Sequence, residues 1–506
     1  MLTVNYFVTD KSITLYWNKP YNLPEEYVFE IYVDGYKAGE NVKTHFTLSG
    51  LNSDTVYQVQ IALSGKYMEK AFVSEVLNVV TGRKKRKIDV TQAPYYAVGD
   101  GKTMNTIRLQ QAINDCNAEC VVYVPKGVYM TGALKMHSDM ELYLEEGAVI
   151  QGTTVPEDYL PMIHSRFEAH EMECYSSLIN MGDLDRYSSY NCKNVMIHGK
   201  GSIVGGGCVL AENIIAAERI RLADVIKNMD MKLLNYEKAD TLPGRVRPRL
   251  VNMSNCQNII LSGITFAEGA CWNVHMIYSD NIVTHNCVIE SRGIWNGDGW
   301  DPDSSTNCII FGTTFYTGDD SIAIKSGKNP EGNVVNRPCE GIRIFDCISK
   351  LGLGFAVGSE MSGGICDVQI WDCDLSNTRY GVEIKATKKR GGFVKNVQVR
   401  DSVVSRVMFH TVDYNDDGLG AEHPPVFADC VFENLHVLGE YLAEDESIQP
   451  CPAFEMIGFD IEGYEIQNIL FKDIRLQGKV HKGRQKMHFQ YCKNITLQNV
   501  SVRECK

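Results

Sequence analysis

The residues best suited to chemistry lie in four short segments: NGDGWDPDSS (Asn296 to Ser305), GDDSIAIKSG (Gly318 to Gly327), GFAVGSEMSGG (Gly354 to Gly364) and GVEIKATKKRGG (Gly381 to Gly392). They bring carboxylates at Asp298, Asp301, Asp319, Asp320, Glu360 and Glu383, and amines at Lys325 and Lys385. Crowded carboxylates repel, which raises the proton affinity of at least one member. A protonated acid then stands beside an ionised base, the pair needed to protonate a leaving oxygen and activate a water in glycosidic hydrolysis. Where a water fits between them, the two carboxyls stand about 6.5–9.5 Å apart and the anomeric centre inverts. Gly-Asp-Asp or Asn-Gly-Asp-Gly alone is an ordinary turn, because Asn, Asp and Gly favour turns. The signal lies in the register.

Asp298 and Asp319 are 21 residues apart, and Glu360 and Glu383 are 23 apart. The surrounding chain repeats at a similar interval. Short β-prone runs begin at Asn194, Asn258, Asn281, Asn307, Gly341, Asp367, Asn396, Asn468 and Asn494, with steps of 23, 26, 34, 26 and 29 residues between 258 and 396. Such a period, with Asn and Gly at the turns, predicts a parallel β-helix whose rungs stack at about 4.8 Å. One rung in sequence becomes one neighbour in space, so Asp298, Asp301, Asp319 and Asp320 should share two adjacent rungs, with Lys325, Glu360, Glu383 and Lys385 extending the face. The longer step holds GKNPEGNVVNRPC, which can loop out. Cys256, Cys287, Cys308, Cys347 and Cys373 follow the same phase and read as a buried ladder of small side chains, with no convergent metal ligands.

Residues 1–82 alternate apolar and polar positions in short runs (SITLYW, YVFEIYVDG, HFTLSGL, VYQVQIALSG), which predicts an antiparallel β-sandwich. Trp17 falls in an early strand, and Tyr57 sits where a tyrosine corner ties a loop to the sheet. Residues 83–95, opening with the basic run RKKRK, read as a solvated linker, and 96–506 as the β-helix. A helix over TIRLQQAINDC, apolar at Ile107, Leu109, Ala112 and Ile113, is expected to cap its open end. The chain is thus all-β. A net charge of −13 over 506 residues argues against nucleic-acid partners, and no run reaches the ~18 apolar residues of a membrane helix. Seventeen scattered cysteines and an opening without a signal-peptide pattern lead to an expectation of reduced thiols and a cytoplasmic location.

The same segments, with AVGDGKTMNT, SRFEAHEMECYSSLIN, RPRLVNMSNC and GSEMSGG, resemble the polygalacturonase-like family 28 glycoside hydrolases from about Asp89 onward. Residues 1–82 resemble a fibronectin type III domain, a spacer or, as an alternative, a sugar-binding module. The family resemblance implies a right-handed parallel β-helix that hydrolyses galacturonosyl linkages of pectic oligosaccharides with inversion, without metal or other cofactor. Asp319 resembles the general acid, and Asp298 and Asp320 the pair that holds and deprotonates water. Asn296 and Asp301 resemble supports, and Lys385 the lysine that binds a substrate carboxylate.

Two departures bear on the substrate. The family's Gly-His-Gly segment is replaced by LGLGF, with Gly352 and Leu353 near the missing histidine, and Glu383 stands where an arginine usually precedes the lysine. Glu cannot make the bidentate grip of Arg, so a rhamnogalacturonan-type substrate is the alternative. Arg166, Arg249 and Lys388 to Arg390 are candidates for the positive field, and Trp272 and His275 for a sugar-stacking platform. Long insertions at 155–192 and 209–249 are expected to wall off the cleft and give exo cleavage. A calcium-dependent pectate-lyase-like eliminase and a non-catalytic sugar-binding solenoid are the other readings; oligomeric state is left open.

Overall fold

The computed structural model describes residues 2–24, 26–65, 68–228, 240–413, 418–443, 445, 447–477 and 487–503, except the side chains of 68–72 and 503. It divides into two compact units, Met1–Lys87 and Ile88–Lys506. In the first, antiparallel strands form two small sheets. Ile13, Leu15 and Trp17 from one sheet and Phe29, Ile31, Val59 and Ile61 from the other share a core. The Asn52 N–H donates to the Tyr57 hydroxyl at 2.9 Å, the loop tie expected of that tyrosine. The expected linker is structured: a strand runs Arg86–Asp89, and Ile88 and Val90 are buried in the core of the second unit.

The second unit is a parallel β-helix. Each central rung gives two strands to a long sheet and one to an 11-stranded parallel sheet. One rung comprises Asp280–His285, Val288–Glu290 and Trp300–Asp303; the next comprises Thr306–Phe311, Thr314–Tyr316 and Ile322–Ile324. They pair in parallel, Ile282 with Cys308, Val288 with Thr314 and Trp300 with Ile322. The local cause is visible in the backbone. Asn194, Asn258, Asn281, Asn307, Gly341, Asp367, Asn396, Asn468 and Asn494 all have positive φ, a region that Gly, Asn and Asp enter most readily. Their side chains also form ladders: Asn281 Nδ2 donates to Asn258 Oδ1 (2.8 Å), and Asn258 Nδ2 to Asn194 Oδ1 (3.0 Å).

Ile, Val, Leu and Phe from every rung fill one continuous core, with the five in-phase cysteines buried in it. The helix Thr106–Asn114 buries Leu109, Ala112 and Ile113, and Gln110 hydrogen-bonds the backbone of Lys135. Ile107 departs from expectation. It is 84% exposed, because at 100° per residue it lies opposite the face formed by the other three. The insertion at 155–192 contains a hairpin, Ile163–Phe167 with His170–Cys174, turning at Glu168 and Ala169. That at 209–249 is largely helical (Gly207–Arg221, Ala223–Asn228, Thr241–Gly244), with 229–239 outside the described residues. Among the described residues no helix is long and apolar enough to cross a membrane.

Candidate active site

Strand alternation aims the functional side chains. Trp300, Ile322, Ile324, Val382, Ile384, Val407 and Phe409 point into the core. Their neighbours Asp301, Asp303, Glu383, Lys385 and His410 therefore project from the outer face of the 11-stranded sheet. Just before these strands, Asp298, Asp319 and Asp320 emerge on adjacent rungs: Gly299 N–H donates to Asp320 O (2.9 Å) and Leu353 N–H to Asp319 O (2.9 Å). Gly299 permits that approach, since a Cβ there would lie 2.4 Å from Ser321 O. A cleft of about 570 Å³ opens over this face, lined by Trp272, Asn296, Asp298, Asp319, Asp320, Lys325, Glu360, Glu383 and Lys385 among others.

Two lysines hold the carboxylate cluster together. Lys325 Nζ lies 3.0 Å from Asp298 and 3.3 Å from Asp301; Lys385 Nζ lies 3.1 Å from Asp320 and 3.0 Å from Glu383. Carboxylates still outnumber them. Burial, then the neighbouring Asp298 charge, pushes Asp319 up to about 7. Asp301 and Asp320 are also pushed well up, by burial first and then by their acidic neighbours. Such a cluster keeps a proton at neutral pH and behaves as one coupled system. Asp319 is its half-buried member, whereas Asp320 is buried. Glu383 goes the other way: against burial, Lys385 and His410 bring it down to about 2, so it is ionised.

The cleft thus gathers nine of the thirteen sequence-predicted residues, with Trp272 directly under Lys325 Nζ (4.0 Å to the ring centroid). Asp301 is fully buried behind Lys325. Arg166 and Arg249 need correction as cleft cations. Both are about 1% exposed. Arg166 donates to Asp303 Oδ1 at 2.7 Å, and Arg249 hydrogen-bonds Ser165 and Asn252. Hairpin packing, invisible to rung spacing, puts them inside. His275 is likewise buried rather than a platform, edge-on to Trp272 and 3.5 Å from Asp303, and burial lowers it to about 4. Of the Lys388–Arg390 run, Lys388 is exposed. Arg390 is buried, donating to Ser359 O (3.1 Å) and Asn329 Oδ1 (2.7 Å) beneath the loop that carries Glu360.

Other residues in the cleft or buried behind it do not follow from rung spacing. Arg247 is sandwiched near Trp295 and Phe167, donating to Asn296 Oδ1 (2.7 Å) and Trp295 O (2.7 Å). Glu168, at the hairpin turn, lines the cleft and accepts from Arg245 Nε at 2.8 Å. Tyr380 and His410 line it too, His410 Nδ1 lying 3.4 Å from Glu383. One further step of the repeat reaches His410, which lies 25 residues after Lys385 and directly beside it in register. Where the family's histidine is missing, Thr317 Oγ1 and the Leu353 N–H hold the Asp319 carbonyl instead. Among the described residues no group of three or more His, Cys, Asp or Glu side chains is arranged to hold a metal ion.

The fold and site together are a parallel β-helix with a coupled carboxylate cluster on one sheet face. Residues 176–420 match the model for glycosyl hydrolases family 28. The chain is 26% identical over 482 residues to an exo-poly-α-D-galacturonosidase of Dickeya chrysanthemi, covering 90% of this chain and 78% of that protein. A probable polygalacturonase of Vitis vinifera is 31% identical over 317 residues, 60% of this chain and 58% of that one. Among solved structures, a Yersinia enterocolitica family 28 exopolygalacturonase superposes with a TM-score of 0.83 at 23% identity, covering 98% of both chains. A Thermotoga maritima exopolygalacturonase gives 0.67 at 25%, covering 83% of this chain and 92% of that one.

Proposed function

We propose that this protein is an exo-acting hydrolase that removes terminal galacturonate from pectic oligosaccharides with inversion. The observation that carries the reading is one cleft in which Asp319, pushed up to about 7, stands with Asp298 and Asp320, each of the latter held by a lysine. Asp319 donates a proton to the departing glycosidic oxygen. Asp298 and Asp320 hold a water and take its proton as it attacks the anomeric carbon. Lys325 and Lys385 oppose the upward push on their carboxylate partners, and Arg247 fixes Asn296 beside them. Exo action is supported by Glu168, which the hairpin insertion sets into the cleft wall, and by the names of the Dickeya, Yersinia and Thermotoga relatives. We read the N-terminal unit as fibronectin type III-like and the buried thiols as suited to a reducing, cytoplasmic compartment that receives short oligosaccharides.

The test is incubation with tri- and digalacturonate, with rhamnogalacturonan oligosaccharides and with polymeric pectate. Release of monomeric galacturonate, with little early loss of viscosity, supports the reading. A rapid viscosity drop, or turnover of the rhamnogalacturonan oligosaccharides alone, refutes it.

A further inference from the structure

The mechanism leaves one cleft side chain without a task, and the cleft's charges leave one task without a side chain. An anionic sugar needs a cation to meet its carboxylate. Among the described residues lining the cleft the basic side chains are Lys325, Lys385 and His410. Each lysine already holds two carboxylates within 3.3 Å and is under 10% exposed. A guest carboxylate would have to displace one of them, disturbing Asp298 or Asp320 in the process.

His410 differs on each count. Its side chain is 33% exposed. Nδ1 faces Glu383 Oε1 at 3.4 Å, and Nε2 has no hydrogen bond among the described residues. Glu383 is 4% exposed and ionised, so it is a fixed negative charge behind the ring. With Nδ1 turned to the Glu383 carboxylate, the imidazolium form of the ring presents its Nε2–H as a donor to a second anion in front. The groups around the ring are few. Glu383 and Lys385 come from the adjacent strand Gly381–Ala386, with Lys385 opposite His410 in register. On the other side Ile457 is opposite, while Glu455, two residues back, faces Arg406 and His488. Asp413 lines the same cleft wall and opposes an incoming anion.

We infer that His410, backed by Glu383, is a specificity-determining residue that binds a carboxylate of the uronic-acid substrate. The inference rests on the proposed function and deepens it. Glu383, the residue that looks wrong for an acidic substrate, becomes the group that orients His410.

The experiment compares the full-length wild type with His410→Gln and His410→Lys on trigalacturonate and its methyl ester. With His410→Gln, KM for trigalacturonate should rise about tenfold or more while kcat changes by less than about threefold. The loss on the ester should be much smaller, and His410→Lys should recover most of the affinity. Asp413→Asn should lower KM. An equal KM rise on acid and ester, or a fall in kcat at constant KM, overturns the inference. Calorimetric binding of trigalacturonate to Asp319→Asn protein, with and without His410→Gln, reads the subsite without turnover. Loss of binding on adding His410→Gln supports it even if the wild type cleaves nothing and the proposed function fails. Unchanged binding, or none to the Asp319→Asn protein, overturns it.

Discussion

Asp301 and Asp303 lie two residues apart on one strand, on one face, both with no exposed surface. Burial pushes both upward, yet they end in opposite states. Asp303 has the Arg166 guanidinium at 2.7 Å, with His275 and Lys325 near, and is brought down to about 2. Arg166 is itself part of a network with Glu171, Tyr278, Arg186 and Glu331, in which the carboxylates meet guanidinium groups. Asp301 shares one lysine with Asp298 and sits near Asp320, and is pushed well up. The lesson is that depth does not set a carboxylate's proton affinity here; the ratio of cations to anions does. The half of the sheet nearest the hairpin is a structural ion-pair network. The Asp298–Asp301 end of the same rung and the rung after it are held short of positive charge, and there we place the proton chemistry.

The contrast can be broken from either side. On the short-charged side, Asp319→Asn should cut turnover of oligogalacturonate by about 10³–10⁴-fold, since the leaving oxygen loses its proton donor. Reducing-end release measures it, with the unfolding midpoint nearly unchanged. On the paired side, Asp303→Asn should do the reverse. It strands the buried Arg166 charge and should cost about 3–5 kcal/mol in urea unfolding, while activity per folded molecule falls far less. The pH dependence follows in sign. Asp303 lies below its unfolded value of about 3.9, so its stabilisation is full above about pH 4 and lost as pH falls toward 2. The Asp303→Asn variant should lack that acid-side loss. Arg247→Met, which frees Asn296 and Trp295, should lower kcat/KM by about 10–100-fold through misplacement in the cleft. Lys388→Ala, at an exposed position, should change kcat/KM by less than about twofold.

The solenoid was legible because its turns are written in residue type: each repeat starts at Asn, Asp or Gly, and all nine adopt positive φ. The cleft was legible for a related reason, since a residue one rung further along is the lateral neighbour. Asp298, Asp319, Asp320 and Lys385 follow from that rule. What failed to show were residues placed by excursions from the rungs. Arg166 and Arg249 are basic and adjacent to the right rungs in sequence, but the hairpin folds them inward onto Asp303, Ser165 and Asn252. Glu168 and Arg247 belong to the same inserted segments and carry no periodic mark. His410 sits in the strand VMFHT, whose sequence lacks any acidic motif, and only its register with Lys385 brings it in.

The most direct measurement is a carbon-13 titration of the aspartate carboxyls, assigning Asp319 and Asp303 by the resonances lost in their Asn variants. One carboxyl should titrate near pH 7 and vanish with Asp319→Asn, while the Asp303 resonance should stay that of an ionised group down to about pH 3. An Asp319 resonance titrating near pH 4, like an ordinary aspartate, would contradict its assignment as the proton donor.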